Sequence, residues 1–188
     1  MHPKIIKINF ALGLFLGMVP LTAKPDQATL DCAKQLAQQD KDFTYGTGPN
    51  QIDCVHFVLA VVNCRLGAPV SAEAKKAILI TYGWKEEETE KKAEDGTDPH
   101  LGGVQYALTQ ILNQGTVIDP TQAKPGDLIQ YWIKKSDGTW FGHSGVIASV
   151  EGIRAKILSA SESHHSIAET PLNLTGPDRH LYIVRIGG

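Results

Sequence analysis

The sequence lacks a marked excess of charge of either sign. Lysine and arginine number 18, aspartate and glutamate number 20, and the formal net charge at pH 7 is −2. Domains that bind nucleic acids usually carry a strong positive balance on one face. This composition therefore argues against nucleic acid as a partner.

The sequence also lacks a long apolar run. The longest one, Phe10–Val19, follows the basic residues Lys4 and Lys7 and precedes Leu21-Thr22-Ala23, which suits a cleavage site. It is shorter than the roughly 20 apolar residues that a membrane-spanning helix needs. We therefore predict a signal peptide over residues 1–23, an exported (periplasmic or extracellular) protein, and no stable membrane anchor.

Internal repeats and low-complexity linkers are absent as well. Removal of residues 1–23 takes away two lysines and no acid, which shifts the net charge from −2 to −4. The remaining residues, 24–188, suffice for one domain with a proper core. We expect this domain to be a monomer.

Cysteine is scarce, with three residues in the whole chain. Cys54 and Cys64 fall on one predicted helix, roughly 15 Å apart along its axis, which is too far for a disulfide. In an exported protein this leaves a Cys32–Cys64 or a Cys32–Cys54 disulfide, or three reduced thiols. The Cys32–Cys64 pairing would leave Cys54 as the free thiol that a nucleophile must be.

The segment 52–67 is almost continuously apolar, which predicts a buried helix. Asp53 suits its N-cap, and Gly67 suits its C-terminal cap. Cys54 would then occupy the first helical position, where free backbone amides and the helix dipole favour a thiolate.

The order of the other segments predicts an α+β fold in which N-terminal helices pack on an antiparallel β-sheet. Helical periodicity covers 28–39 and much of 71–113, where a helix should end near Gly115. After Pro120 the pattern changes to strands and turns. The predicted strands are 128–133, 140–150 and 155–160, and the segments 167–174 and 181–186 add one or two more.

A nucleophilic thiol needs a base, and His143 is the best candidate. It lies between Gly142 and Gly145, which allow another part of the chain to approach its strand closely. That strand should pair with 128–133. His56 is only two residues from Cys54 on the predicted helix and should point to another face.

Four sequence fragments, taken in order, resemble the NlpC-type cell-wall cysteine peptidases. They are Tyr45-x-x-Gly48, Asp53-Cys54-x-x-Phe57-Val58, Lys124-Pro-Gly-Asp-Leu128 followed by Tyr131-Trp132, and Gly142-His-Ser-Gly-Val-Ile147. The resemblance implies a papain-like fold for a single domain over 24–188. Residues around 71–113 would form a helical insertion in that domain.

The resemblance also implies a function and a site. Enzymes of this family hydrolyse amide bonds in peptidoglycan stem peptides, commonly next to γ-linked D-glutamate. Cys54 matches the nucleophile and His143 the base, while Tyr45 and Asp53 match residues that line the substrate site. No metal or other cofactor is implied.

Two positions depart from the family pattern. Val55-His56 replaces the common Ser-Gly after the nucleophile, which affects how one end of the peptide would be recognised. Ser159 stands at the third catalytic position, where the family usually has His, Asn or Gln. Ser161, Glu162 or His164 could replace it, or a Cys–His dyad could suffice.

Three other functions remain open at this point. The same Cys–His pair could transfer an acyl group to an amine, and a weak third residue would also suit a non-catalytic wall-binding module. A zinc site formed by Glu162, His164 and His165 is a further alternative. It is disfavoured because adjacent histidines lack the usual ligand spacing.

Overall fold

A computed structural model describes residues 26–39, 44–79 and 103–187, together with Glu88 and Lys91. The predicted signal peptide lies outside the described residues. The α-helices are α1 (Gln27–Gln39), α2 (Cys54–Leu66), α3 (Ala72–Ile78) and α4 (Val104–Tyr106). The strands are β1 (Thr44–Tyr45), β2 (Gln51–Ile52), β3 (Gly115–Val117), β4 (Leu128–Lys134), β5 (Trp140–Glu151), β6 (Arg154–Ser161), β7 (Ser166–Asn173) and β8 (Arg179–Ile186). No helix of the described ranges is both long and apolar enough to cross a membrane.

Six of the strands form one antiparallel sheet in the order β3-β8-β4-β5-β6-β7. Helices with an antiparallel sheet are compatible with the predicted α+β class. The predicted strand segments match β4 to β8 within about two residues, and the last two segments are separate strands. Strand β3 was not expected, because the sequence predicted only the end of a helix near Gly115. Its three residues are too few to show an alternating pattern, and they become a strand by pairing with β8.

The sheet has two apolar faces, since successive side chains point to opposite sides. Leu128, Val146 and Leu158 lie on the face that packs against the helices. Their neighbours Ile129, Ile147 and Ile157 lie on the other face, in a second cluster. The sheet therefore separates two cores, and α2 belongs to the first.

Helix α2 begins and ends as predicted. The side chain of Asp53 caps it by accepting a hydrogen bond from the His56 amide at 2.8 Å. Gly67 ends it with a left-handed backbone, φ 72°, and its amide donates to the carbonyl of Cys64. These caps fix Cys54 at the first helical position.

A disulfide joins α1 to α2 through Cys32 and Cys64, whose Cα atoms lie 6.0 Å apart. Of the three alternatives that the sequence left open, this is the one present. Cys54 is the free cysteine of the described residues.

The predicted helix before Gly115 is only partly regular. α4 is a single α-helical turn, and residues 107–111 continue it as a π-helix. The Leu112 amide donates to the Ala107 carbonyl at 2.9 Å, five residues back. Glu88 and Lys91 are helical, and the rest of residues 80–102 lies outside the described residues.

The Pro-Gly-Asp turn before β4 is held by a buried ion pair. Asp127 accepts hydrogen bonds from the guanidinium of Arg185 at 2.6 and 2.8 Å and from the Lys124 amide at 2.7 Å. Gly126 packs so closely that a Cβ atom there would lie 2.1 Å from the carbonyl oxygen of Asp26. The turn thereby ties the start of β4 to the last strand and to the start of α1.

Candidate active site

Cys54 lies half-buried at the start of α2, where several polar groups approach its sulfur. Burial raises the pKa of the Cys54 thiol, and the charge of Asp53 also raises it. The donor groups near the sulfur, which are the hydroxyl and amide of Ser144 and the amide of Val55, lower the pKa but do not outweigh the burial. The net effect raises the pKa and disfavours a thiolate at rest, in contrast to what the helix start alone predicts. The helix start does supply the expected backbone amide. The apolar surroundings raise the pKa of Cys54 by more than the nearby donors lower it.

Tyr45 is brought to the thiol by a small closed loop. β1 and β2 pair in parallel, with Tyr45 opposite Ile52, and the Gln51 side chain accepts a hydrogen bond from the Gly48 amide at 2.8 Å. The sequence predicted a loop here but not this pairing, which spans only two residues on each side. The loop therefore holds Tyr45 next to the start of α2.

The hydroxyl of Tyr45 stays protonated at any ordinary pH. Burial, the negative charges of Cys54, Asp53 and Glu162, and a hydrogen bond to Cys54 together raise its pKa to about 12. A protonated phenol beside a sulfur atom is a hydrogen-bond donor. Tyr45 can therefore donate to the thiol or to a group bound near it.

His143 and Ser159 form a pair across two neighbouring strands. The His143 Nε2 atom lies 2.7 Å from the Ser159 hydroxyl oxygen, and both side chains are buried on the same face of the sheet. The ring of Tyr131 meets the imidazole edge-on at 5.6 Å, and the ring of Phe141 stacks on it at 5.7 Å. Burial lowers the pKa of His143 to about 4, so the imidazole is neutral near pH 7.

The other candidates for the third position are engaged elsewhere or lie apart. Ser161 contacts the Nδ1 atom of His164 at 2.9 Å, and Ser163 contacts the same atom at 3.1 Å. Glu162 lies in the turn after β6 and acts on Tyr45 through its charge. The geometry thus places Ser159, and neither Ser161 nor His164, on the imidazole of His143.

Cys54 and His143 share two neighbours, Tyr45 and Tyr131. Ser144, which approaches the Cys54 sulfur, directly follows His143 on β5, with its side chain on the opposite face of the sheet. Burial and the charge of Cys54 both raise the pKa of Tyr131, whose ring packs on His143. Tyr45 hydrogen-bonds Cys54 and lines a cavity together with His143. Tyr45 and Tyr131 therefore lie near both Cys54 and His143, and Ser159 is linked to them through His143.

Asp53 and His56 form a local pair at the entrance of α2. The Asp53 Oδ1 atom lies 2.8 Å from the His56 amide and 2.9 Å from its Nδ1 atom. The structure thus gives Asp53 a clear role as a helix cap, while its role in substrate binding stays a prediction. The sequence predicted that His56 lies on a different helix face from Cys54 but not its pairing with Asp53, which the spacing i, i+3 could have indicated.

A cavity of about 350 Å³ opens beside His143. Most of its walls are apolar or aromatic, and Glu162 is its one acidic lining residue. The lining residues are Tyr45, Tyr131, Ile133, Phe141, His143, Ser161, Glu162, Ser163, Thr170, Pro171 and Leu172. No sequence motif indicated Ile133 or Phe141 as site residues. They alternate with Trp132 and Gly142 on the strands that carry Tyr131 and His143, so the period of two could have identified them.

The residues described here include no group of three His, Cys, Asp or Glu side chains that could hold a metal ion. In the alternative zinc site, the Nδ1 atom of His164 contacts two serine hydroxyls. Neither a protein-family model nor a curated protein matches the chain. Its function must therefore be inferred from the geometry of the site.

Proposed function

We propose that this protein is an exported cysteine hydrolase with an NlpC-type, papain-like fold that cleaves amide bonds in peptidoglycan stem peptides. The observation that supports it best is a free Cys54 at a helix start that shares the neighbours Tyr45 and Tyr131 with His143, whose imidazole lies 2.7 Å from the Ser159 hydroxyl. The arrangement of helices on an antiparallel sheet is compatible with that fold. The Cys32–Cys64 disulfide is compatible with export.

In the first step of the proposed reaction, Cys54 attacks the carbonyl carbon of the scissile amide. Ser159 accepts a hydrogen bond from the Nε2–H group of His143, which leaves Nδ1 unprotonated. Nδ1 then takes the thiol proton while the sulfur–carbon bond forms. Both groups are neutral at rest, since burial raises the pKa of Cys54 and lowers that of His143, so proton transfer accompanies the attack.

The negative charge that develops on the carbonyl oxygen needs hydrogen-bond donors to stabilise it. The backbone amide of Cys54 at the helix start is one, and the protonated hydroxyl of Tyr45 is the second. The imidazolium of His143 then protonates the leaving amine as the carbon–nitrogen bond breaks. In the second step the neutral imidazole activates a water molecule, which hydrolyses the thioester and restores the thiol.

Mass spectrometry of purified peptidoglycan, incubated with wild type or with Cys54→Ala, tests the proposal. New stem-peptide fragments should appear with the wild type alone. His165→Asn is the control, because His165 lies outside the cavity with a left-handed backbone, φ 52°, that asparagine accepts. If the wild type releases no fragment from any peptidoglycan type, the proposed substrate class is wrong.

The same assay with an added amine separates hydrolysis from acyl transfer. Hydrolysis yields a free carboxylate on the cleaved peptide, whereas transfer yields a new amide that contains the added amine. Products with the added amine as the main species would replace the hydrolase by the acyltransferase alternative.

A further inference from the structure

Ser144 carries a buried hydroxyl that lacks a partner. The side chain is 2% exposed, and its oxygen has no hydrogen-bond partner of normal geometry among the described residues. Buried polar groups are nearly always paired, because an unpaired hydroxyl destabilises the folded state. An alanine at this position would avoid that cost, so the hydroxyl calls for another explanation.

The location of Ser144 suggests one. It follows His143 on β5 and pairs with Gln130 of β4, so its side chain points to the face of the sheet that packs against α2. Cys54 is the first residue of that helix, and its sulfur is close enough to Ser144 to be influenced by both its hydroxyl and its amide. The unpaired hydroxyl therefore lies beside the proposed nucleophile.

The charge of the sulfur decides whether this hydroxyl has a good acceptor. A neutral thiol is a weak acceptor, whereas a thiolate is a strong one, and hydrogen bonds to charged groups are about twice as strong as neutral ones. The hydroxyl would thus gain its partner only when Cys54 loses its proton. The unpaired hydroxyl of the resting state would then be a preorganised donor for the reacting state.

We propose that Ser144 is a catalytic residue whose hydroxyl donates a hydrogen bond to the Cys54 sulfur as the thiol loses its proton. The thiol proton passes to His143, and Ser144 keeps its own proton throughout. The amides of Ser144 and Val55 also lie close enough to the sulfur to lower its pKa. When the sulfur forms the thioester it becomes a poor acceptor again, so the hydrogen bond assists ionisation without holding the acyl group.

This role rests on the proposed function only for the identity of the substrate. Stabilising the thiolate would assist any reaction in which Cys54 is the nucleophile, and it can be measured without peptidoglycan. Substitution of Ser144 leaves the other titratable or charged groups around Cys54 in place. These are Asp53 and His56 at the helix start, Tyr45 on β1, Tyr131 on β4, His143 on β5, and Glu162 after β6.

Ser144→Ala tests the proposal, with Ser149→Ala as the control because Ser149 is an exposed serine on the same strand. The thiolate absorbance of each variant is titrated against pH, and Cys54→Ala supplies the background. Ser144→Ala should raise the pKa of Cys54 by about one unit and slow alkylation near neutral pH about tenfold. Its Tm should stay equal or rise, because a methyl group replaces a buried unpaired hydroxyl.

A structural role would give the opposite pattern, with a lower Tm and an unchanged thiol titration, and would overturn the proposal. If Ser144→Ala fails to fold, Ser144→Thr and Ser144→Val give the same comparison with side chains of nearly equal shape. The threonine variant should titrate like the wild type and the valine variant like the alanine variant. Equal titrations for threonine and valine would also overturn the proposal. A shifted titration in a protein that does not cleave peptidoglycan would leave the role of Ser144 standing and remove only the proposed substrate.

Discussion

The imidazole of His143 and the hydroxyl of Ser159 lie 2.7 Å apart, on strands β5 and β6. The Ser159 side chain is completely buried, and the imidazole is nearly so. This contact fixes the orientation of the ring, because one of its two nitrogens is committed to the serine. A neutral hydroxyl is nevertheless a weak partner for an imidazolium.

We therefore expect the two residues to contribute very unequally to activity. His143→Ala should abolish turnover, because none of the described residues is placed to replace the base. Ser159→Ala should lower kcat/KM roughly tenfold, which corresponds to about 1.4 kcal/mol of transition-state stabilisation. The measurement is kcat/KM on a stem-peptide substrate, with His165→Asn as the control for histidine loss.

Equal losses for the two variants would contradict this expectation and make Ser159 a full member of a catalytic triad. A negligible loss at Ser159, together with a large one at Glu162→Gln or His164→Ala, would instead move the third position into the turn after β6.

The resting state of Cys54 and His143 should be uncharged. Burial raises the pKa of the thiol and lowers that of the imidazole to about 4. The thiolate absorbance of the wild type, corrected with Cys54→Ala, should therefore stay flat from about pH 5 to about pH 8 and rise only in the alkaline range. A thiolate signal already present in mild acid would show that the pair is ionised at rest.

The lowered pKa of His143 also determines the acid limb of the pH–activity profile. His143 is the proton acceptor, so kcat/KM should fall as the imidazole becomes protonated. Because its pKa is lowered to about 4, activity should persist at pH 5, where an unperturbed histidine with pKa near 6.5 would be mostly protonated. An acid limb centred near pH 6.5 would contradict the burial argument.

Several parts of this site could be predicted from the sequence because their causes are local. Asp53 and Gly67 cap the two ends of α2 by hydrogen bonds within a few residues. The strands that carry His143 and Ser159 lie between clear turn signals in the sequence. Once those two strands were taken as neighbours, the period of two put Ile157 and Ser159 on one face.

The parts of the fold and of the site that the sequence did not predict depend on contacts between distant residues. β3 exists because residues 115–117 pair with β8, some seventy positions later, and nothing in three residues indicates this. The pKa direction of Cys54 depends on how deeply the sheet and the Tyr45 loop bury the sulfur. The cap chemistry of the helix start was visible in the sequence, but the amount of surrounding apolar atoms was not.

Folding stability should also respond to the protonation of His143. Its pKa is lowered in the folded state relative to the unfolded value near 6.5, so the folded protein binds fewer protons between these values. The neutral imidazole therefore contributes to folding stability in full above about pH 6.5. This contribution, roughly 3 kcal/mol, is lost as pH falls towards 4. Urea unfolding at both ends of this range should show a smaller loss for His143→Gln than for the wild type. Equal losses would show that His143 does not titrate abnormally.

The last prediction concerns the turn that anchors β4. Gly126 has φ 93°, and a Cβ atom there would lie 2.1 Å from the Asp26 carbonyl oxygen. Gly138 has nearly the same backbone angle, φ 90°, but nothing within 4 Å of a Cβ atom. Gly138→Ala should therefore cost only the left-handed backbone strain, about 1 kcal/mol. Gly126→Ala adds a clash with backbone and should cost about 3 kcal/mol or more of unfolding free energy.

Urea unfolding of the two glycine variants isolates the effect of the close approach, since backbone strain is common to both. The clash would displace the turn that carries Asp127, so Gly126→Ala should also weaken the Asp127–Arg185 ion pair at the base of β4. The site lies farther along β4 and β5, around Tyr131 and His143, which pair with each other. We therefore expect the surviving folded fraction of Gly126→Ala to keep its thiol titration. Equal unfolding free energies for the two variants would show that the turn can move to accommodate a Cβ atom at little cost and does not anchor the sheet.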